Sequence, residues 1–146
     1  MQLNQQTDYA LRVLMLLAEQ ESLEASRLYT IREIAEFHQI SRNHLMKVVN
    51  SLVEQGFVQA QRGRNGGLKV GKPSKNIRIG DVVRGMENSW NLVECFSSAG
   101  SMCRIQSKCR LQHVFRQALQ AFWEKLDEFS LADISSSPTK IVMFNE

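Results

Sequence analysis

Near the start of the chain apolar residues recur every three or four positions, which predicts a helix ending near Glu21. A second, shorter helix is expected after Thr30. Thr30 and Glu33 have the spacing of a capping box, in which each side chain satisfies a backbone amide of the other residue. The residues expected on the inward faces of these two helices are Tyr9, Ala10, Val13, Leu14, Leu16, Leu17, Ile31, Ile34, Ala35 and Phe37.

The helical spacing breaks at residues 38–40, and Ser41 can then cap a third helix by accepting a hydrogen bond from its first turn. One side of this helix is apolar and the opposite side is polar and basic. The apolar side contains Leu45, Val48, Val49 and Leu52, and the polar side contains Asn43, Lys47, Asn50 and Glu54. Two short helices joined by a tight turn, the second with a polar and basic outer face, predict a helix-turn-helix.

A β-hairpin is predicted directly after the third helix, which Gly56 is placed to end. Residues 57–61 and 68–70 have strand character, and the connection between them is rich in glycine. Asn65-Gly66 favours a primed turn, in which both central residues have positive φ. A hairpin in this place is typical of a wing, whose tip would carry Arg62 and Arg64 to a DNA minor groove. An ordinary surface hairpin is the alternative.

Beyond the hairpin the sequence predicts a short helix over 79–86, an irregular segment over 87–108 and a long helix from about 107 to 129. The long helix carries a wide apolar stripe formed by Leu111, Phe115, Ala118, Leu119, Phe122, Leu126 and Phe129. Such a stripe suggests burial against a second copy, with packing onto the first helix also open.

The predicted fold class is therefore mainly α with a small β-hairpin. We expect a winged helix-turn-helix DNA-binding domain over 1–78, a cysteine-containing loop and dimerisation helix over 79–134, and a C-terminal tail over 135–146.

Charge is unevenly distributed along the 146 residues, although the formal net charge is only +3. Residues 41–78 contain a single acidic residue, Glu54, against eight basic ones. These eight are Arg42, Lys47, Arg62, Arg64, Lys69, Lys72, Lys75 and Arg78. A basic block of this kind indicates a polyanion such as double-stranded DNA, a merely solvated surface being the alternative.

The composition, 43% hydrophobic and 23% charged, is that of a globular protein, and no apolar run is long enough for a membrane span. The start of the chain lacks a basic leader followed by a small-residue cleavage site. We therefore expect a cytoplasmic protein in a reducing compartment, with no membrane partner.

Three cysteines, Cys95, Cys103 and Cys109, lie in or beside the irregular segment. An odd number excludes a complete disulfide framework, and soft thiolates on a loop suit zinc or an iron–sulfur cluster. Structural zinc sites usually pair cysteines two to four residues apart, whereas the gaps here are wider and suit a larger cluster better. From spacing alone, a cluster, a zinc site, a thiol switch and no site all remain open.

Several motifs together carry a family resemblance: residues 1–3 (MQL), 7–12 (TDYALR), 40–49 (ISRNHLMKVV), 62–68 (RGRNGGL), 77–84 (IRIGDVVR) and 109–111 (CRL). From Met1 to about Ile134 the chain resembles the NsrR branch of the iron–sulfur winged-helix regulators, which also include IscR. The resemblance implies a homodimer with long helices crossed at its interface, and a cluster held by Cys95, Cys103 and Cys109.

The resemblance also bears on the fourth cluster ligand. In NsrR-like proteins it can be an aspartate from the first helix of the partner, a position that Asp8 occupies here. IscR-like proteins use a histidine three residues after the last cysteine, where this chain has Gln112 followed by His113. Asp8 is therefore the expected ligand, and an acid that interacts with the helix dipole is its alternative role. The gap of seven residues between Cys95 and Cys103 exceeds the usual four or five, which bears on how the cluster is shielded.

The resemblance implies a transcriptional repressor, not an enzyme. Its cluster, 4Fe–4S with 2Fe–2S as the alternative, would sense nitric oxide, and nitrosylation would release the DNA operator. The residues expected at DNA are Ser41, Arg42, Asn43, His44, Lys47, Arg62, Arg64 and Asn65. Alternatives are a regulator of the same fold that senses iron–sulfur supply or thiol redox state, a DNA-architectural protein, and a small electron-transfer protein.

Overall fold

The structure is a computed structural model that describes residues 2–22 and 28–135. Its helices are α1 (Gln5–Ser22), α2 (Ile31–His38), α3 (Arg42–Glu54), α4 (Ile79–Met86), α5 (Arg110–Asp127) and α6 (Leu131–Ser135). Its two strands are β1 (Val58–Gln61) and β2 (Gly67–Val70), which pair antiparallel. Single 3₁₀ turns lie at Ser74–Asn76, Glu94–Phe96 and Gln106–Lys108. The predicted class, mainly α with one hairpin, is confirmed; the predicted tail lies outside the described residues beyond Ser135.

Helix α1 lies at the centre of the fold, where it packs against α3, α4, α6 and β2. The inward-facing residues of α1 and α3 predicted from helical spacing are almost all buried. The fully buried large side chains of the core are Leu14, Leu16, Leu17, Ile34, Leu45, Leu52, Ile77, Leu131, Val13, Val48, Val49 and Val82. This single core holds the helix-turn-helix rigidly against α1.

Hydrogen bonds fix the start of α2 and the turn between α2 and α3. Thr30 and Glu33 form the predicted capping box, in which the Glu33 amide donates to Thr30 Oγ1 at 3.3 Å and the Thr30 amide donates to Glu33 Oε2 at 2.8 Å. Gln39 ends α2 in the left-handed conformation, with φ 54° and ψ 40°. Ser41 then caps α3 as predicted, accepting from the His44 amide at 3.3 Å.

The hairpin is present, but its predicted turn is wrong. The register pairs Gln61 with Gly67, so five residues connect the strands, and within this connection only Gly63 has positive φ, at 111°. Gly66 instead donates its amide to the Gly63 carbonyl at 3.0 Å, and a Cβ there would overlap the Gln61 carbonyl oxygen. The glycine at 66 therefore permits a close backbone approach, which a sequence cannot distinguish from a need for positive φ.

The structure differs from the prediction at the start of α5 and at Phe37 of α2. Helix α4 and the irregular segment are as expected, but α5 begins at Arg110, because Gln106–Lys108 forms a separate turn and Cys109 is extended. Phe37, expected to face inward on α2, is 38% exposed and packs edge-on against the His38 ring. After α5 the chain returns to the core through a bridge between Arg78 and Ser130. Among the described residues no helix is long and apolar enough to cross a membrane.

Candidate DNA interface and cysteine loop

The outer face of α3 presents polar and basic side chains to solvent. Arg42, Asn43, Lys47 and Asn50 are exposed, while Leu45, Val48, Val49 and Leu52 are buried beneath them. Met46 lies within this polar face and is 43% exposed, a placement that helical geometry predicts but that our sequence interpretation did not use. The exposed face of α3 is therefore polar and basic at its start and carries two exposed apolar side chains, Met46 and Val53.

His44 differs from the other predicted contact residues of α3. Its ring packs edge-on against Tyr9 of α1, with the centroids 5.2 Å apart, and it is half-buried. The first turn of α3 is thus capped by Ser41 and packed against α1 through Tyr9. Ser41 itself is exposed, so its hydroxyl both caps the helix and faces solvent.

The tip of the hairpin carries the predicted wing residues. Arg62, Arg64 and Asn65 are all exposed, as is Lys69 on β2. Near its tip end, strand β2 is anchored by a bridge from Tyr29 to Leu68, and the Leu68 amide donates to the Tyr29 carbonyl at 2.8 Å. Two arginines therefore project from a narrow, anchored arm beside the α3 face.

Asp8 lies in the first turn of α1 and pairs with Arg12 one turn later. The Asp8 carboxylate accepts from Arg12 Nε at 3.1 Å and lies 2.8 Å from its terminal nitrogen. Both side chains are about half exposed, so the pair is worth well under 1 kcal/mol and leaves Asp8 accessible.

Burial, and next the charge of Arg12, lower the pKa of His38, whose Nε2 is buried with no hydrogen-bond partner among the described atoms.

The start of α1 is fastened to the end of α4 by a buried polar network that the sequence did not reveal. Glu87 Oε1 accepts from the Thr7 hydroxyl at 2.6 Å and from the Asn4 amide at 2.8 Å. Asn4 Oδ1 in turn accepts from the Thr7 amide at 2.8 Å, and Thr7 is fully buried. The residues are about eighty positions apart, so no local pattern could indicate the network. It links the segment that enters the cysteine loop to the turn that carries Asp8.

The three cysteines are half-buried and none forms a disulfide. Cys95 lies in a 3₁₀ turn, Cys103 in the extended part of the loop, and Cys109 immediately before α5, as its N-cap residue with no side-chain cap. In the described part of a single chain, no three His, Cys, Asp or Glu side chains are grouped so as to hold a metal ion. In one copy the structure therefore groups neither the three predicted cysteines as a metal site nor Asp8 with them.

The chemistry of this loop nevertheless fits a thiolate-bound cluster. Between Glu94 and Glu124 the chain has no acidic residue, whereas Arg104, Lys108, Arg110 and Arg116 are basic. Three soft donors on one irregular loop suit iron. His113 is exposed on α5, and Gln112 donates to the Cys95 carbonyl at 3.5 Å, at the long limit of a hydrogen bond.

Helix α5 buries no residue fully in the single chain. The predicted stripe divides into two faces. Phe115, Leu119, Phe122 and Leu126 are half-buried, whereas Leu111 and Val114 are 58% and 54% exposed and Ala118 and Ala121 are also exposed. We call Leu111, Val114, Ala118 and Ala121 the exposed seam.

The neighbour of α5 is α4, not α1 as the alternative supposed. Arg84 of α4 forms a bidentate pair with Asp127, at 2.8 and 2.5 Å, and stacks 4.4 Å over the Trp123 ring. The Arg84 hydrogen bond lowers the pKa of Asp127. A Cβ on Gly80 would overlap the Asp127 carboxylate, so this joint requires glycine there. The joint decides which face of α5 meets its own chain.

Comparison with known proteins agrees with this architecture. The profile of the Rrf2 family, described as an iron-dependent transcriptional regulator, matches residues 3–137. The chain is 46% identical to the HTH-type transcriptional regulator NsrR of Bacillus licheniformis, covering 92% of each chain. It is 42% identical to the NsrR of Bacillus subtilis, over 97% of this chain and 95% of that one.

Solved structures show the same fold. Oxidised Staphylococcus aureus CymR has a TM-score of 0.74 at 22% identity, covering 95% of this chain and 99% of its own. IscR of T. potens has a TM-score of 0.70 at 22% identity, covering 92% and 85%. The predicted resemblance and the expectation of a regulator that is not an enzyme are confirmed. The chain belongs to the Rrf2 family of transcriptional regulators.

Proposed function

We propose that this protein is a homodimeric repressor whose iron–sulfur cluster, held by Cys95, Cys103 and Cys109, senses nitric oxide. The observation that carries the proposal is the set of three free, half-buried thiols on one irregular segment, with no acidic residue between Glu94 and Glu124. The names of its relatives support the same function, since those of 42% to 46% identity are NsrR regulators. We expect such a protein to act in the cytoplasm.

DNA contact is assigned to α3 and the wing. Ser41, Arg42, Asn43, His44 and Lys47 would face a major groove, where asparagine and basic side chains read base edges or bind phosphate. Arg62, Arg64 and Asn65 would enter the adjacent minor groove or contact its phosphates. Because His44 packs against Tyr9, its role is to orient the helix start as much as to touch a base.

Dimerisation is assigned to the exposed seam of α5. Leucine and valine at helical spacing, with two small alanines between turns, form a surface on which a second α5 can approach closely. The single chain leaves this surface uncovered although its other apolar face is packed against α4 and its neighbours. A second copy would bring two α3 helices into one assembly, as two half-sites of an operator require.

The fourth ligand is assigned to Asp8 of the second copy. Asp8 is accessible and held only by a weak ion pair with Arg12. A bound cluster, 4Fe–4S with 2Fe–2S as the alternative, would supply iron that nitric oxide attacks by nitrosylation. In this chain nitrosylation would disturb the loop of residues 94–109 and the first part of α1, which contacts α3 through Tyr9 and His44. Loss of that order would favour a non-binding arrangement of the dimer.

The test compares DNA affinity of the cluster-loaded protein before and after stoichiometric nitric oxide, using a duplex selected from a random library. We expect a loss of at least tenfold in affinity; unchanged binding contradicts the proposal. Anaerobic absorption spectra separate the alternatives, because zinc and free thiols give no visible band. Asp8→Ala should alter the visible spectrum, whereas Asp81→Ala, which removes the equivalent first-turn acid paired with Arg84, should not.

A further inference from the structure

We infer that Glu94 is a positioning residue that closes the long Cys95–Cys103 loop and presents its two thiols together. The inference rests on the proposed function, since it concerns how the cluster is held. It addresses the gap of seven residues, which is wider than the resemblance leads one to expect.

The Glu94 carboxylate bridges the two ends of the loop. Glu94 Oε1 accepts from the Met102 amide at 2.7 Å and from the Ser101 hydroxyl at 3.4 Å. Glu94 directly precedes Cys95, and Met102 directly precedes Cys103. The bridge therefore holds the backbone of Met102, next to Cys103, against the side chain of Glu94, next to Cys95.

The bridge continues to the second cysteine itself. Ser101 Oγ accepts from the Cys103 amide at 3.1 Å, so Glu94, Ser101 and Cys103 form a hydrogen-bonded chain. At the near end, the Glu94 carbonyl accepts from the Ser97 amide at 3.1 Å. Between the ends, Phe96 is half-buried beneath Arg116, residues 98–100 are exposed, and Gly100 at φ 95° allows the return.

A carboxylate in this place has a reason that is separate from ligation. Its oxygen Oε1 gives the Met102 amide and the Ser101 hydroxyl an acceptor, and closing a loop in advance removes the entropy that a ligand would otherwise have to overcome. Residues that orient metal ligands typically change metal retention by roughly 10- to 100-fold when they are removed. Glu94 is thereby expected to act without contacting iron.

The direct test uses the reduced, cluster-free full chain labelled with ¹⁵N-methionine, which gives few amide signals because the chain has only six methionines. In wild-type protein we expect the Met102 amide to exchange slowly with solvent. Glu94→Ala should accelerate that exchange by at least tenfold, Glu94→Gln should retain most of the protection through its amide oxygen, and Ser98→Ala should have no effect. Ser98 is the matched control, an exposed residue of the same loop. Equal exchange in wild type and Glu94→Ala overturns the inference.

The second readout is the half-life of the visible absorption band of the anaerobic protein in excess chelator. Glu94→Ala should shorten it about tenfold, and Glu94→Gln should restore it to within about twofold of wild type. A Glu94→Gln variant that loses the band as fast as Glu94→Ala overturns the inference, because it makes the charge or direct ligation decisive. A wild-type protein with no band overturns the proposed function and this inference with it. A band that survives equally in Glu94→Ala overturns the inference alone.

Discussion

The exposed seam of α5 can be tested by placing one charge on it. Leu111 and Val114 are 58% and 54% exposed in the single chain. Full burial of such a side chain is worth about 2 kcal/mol, so covering the exposed half of each is worth about 1 kcal/mol. Two side chains on each of two copies then contribute about 4 kcal/mol, which corresponds to roughly a thousandfold in Kd. Ala118 lies on the same seam, four residues after Val114. Because a two-fold interface contains both copies of the helix, Ala118→Glu places two negative charges in it.

We therefore expect Ala118→Glu to weaken the dimer by two to three orders of magnitude. Sedimentation velocity over a range of concentrations measures this directly. Helix content by circular dichroism should stay unchanged, because α5 buries no residue fully in its own chain. Gln120→Glu introduces the same charge on the polar face of the helix and should leave the dimer intact. The reasoning is refuted if Ala118→Glu remains as dimeric as wild type, or if Gln120→Glu dissociates equally.

Three further outcomes are expected. Thr30→Ala removes the hydroxyl that accepts from the Glu33 amide and keeps the Thr30 amide that donates to Glu33 Oε2; it should lower the free energy of unfolding by about 1 kcal/mol in urea, and no change would contradict it. Burial, and next the charge of Arg12, lower the pKa of His38, so the unfolded chain binds a proton at this residue more readily than the folded chain does. The free energy of unfolding should therefore fall as the pH drops from about 6.5, the value of a free histidine, through the lowered pKa. His38→Gln should reduce this loss. Replacing Arg62 and Arg64 together by alanine should reduce the salt dependence of DNA binding by about two counterions, with base preference retained; an unchanged slope would exclude phosphate contacts.

Elements specified by neighbouring residues could be predicted from the sequence. The Thr30–Glu33 box and the Ser41 cap depend on residues three positions apart, and both form as expected. The hairpin turn was mistaken because Gly66 serves a close backbone approach and not a positive φ. Features that depend on distant contacts could not be inferred. The Thr7–Glu87 bond joins residues eighty positions apart.

The division of the α5 stripe has the same origin. Helical spacing predicts a single wide stripe, whereas contacts with distant residues, such as the Arg84–Asp127 pair and the Trp90–Trp123 contact, determine which part meets the parent chain. The cysteines could be found as a set from their spacing, but the Glu94 bridge that orders their loop leaves no local signature.

Three features of the single chain require the same explanation. Helix α5 leaves a leucine, a valine and two alanines uncovered, Asp8 pairs weakly with Arg12, and three free thiols lie on a segment whose described residues form no complete metal site in one copy. If the three features were unrelated, the chain would have an exposed apolar helix face, an acid without a role and thiols without a role. Each of these is unusual by itself. One two-fold association would account for all three, because it would cover the seam and bring the Asp8 of one copy toward the thiols of the other. The proposal therefore predicts that the two effects are coupled: Ala118→Glu, which touches neither thiol nor acid, should also destabilise the cluster. Retention of the cluster by a monomeric Ala118→Glu protein would separate dimerisation from ligation and remove Asp8 of the second copy as the fourth ligand.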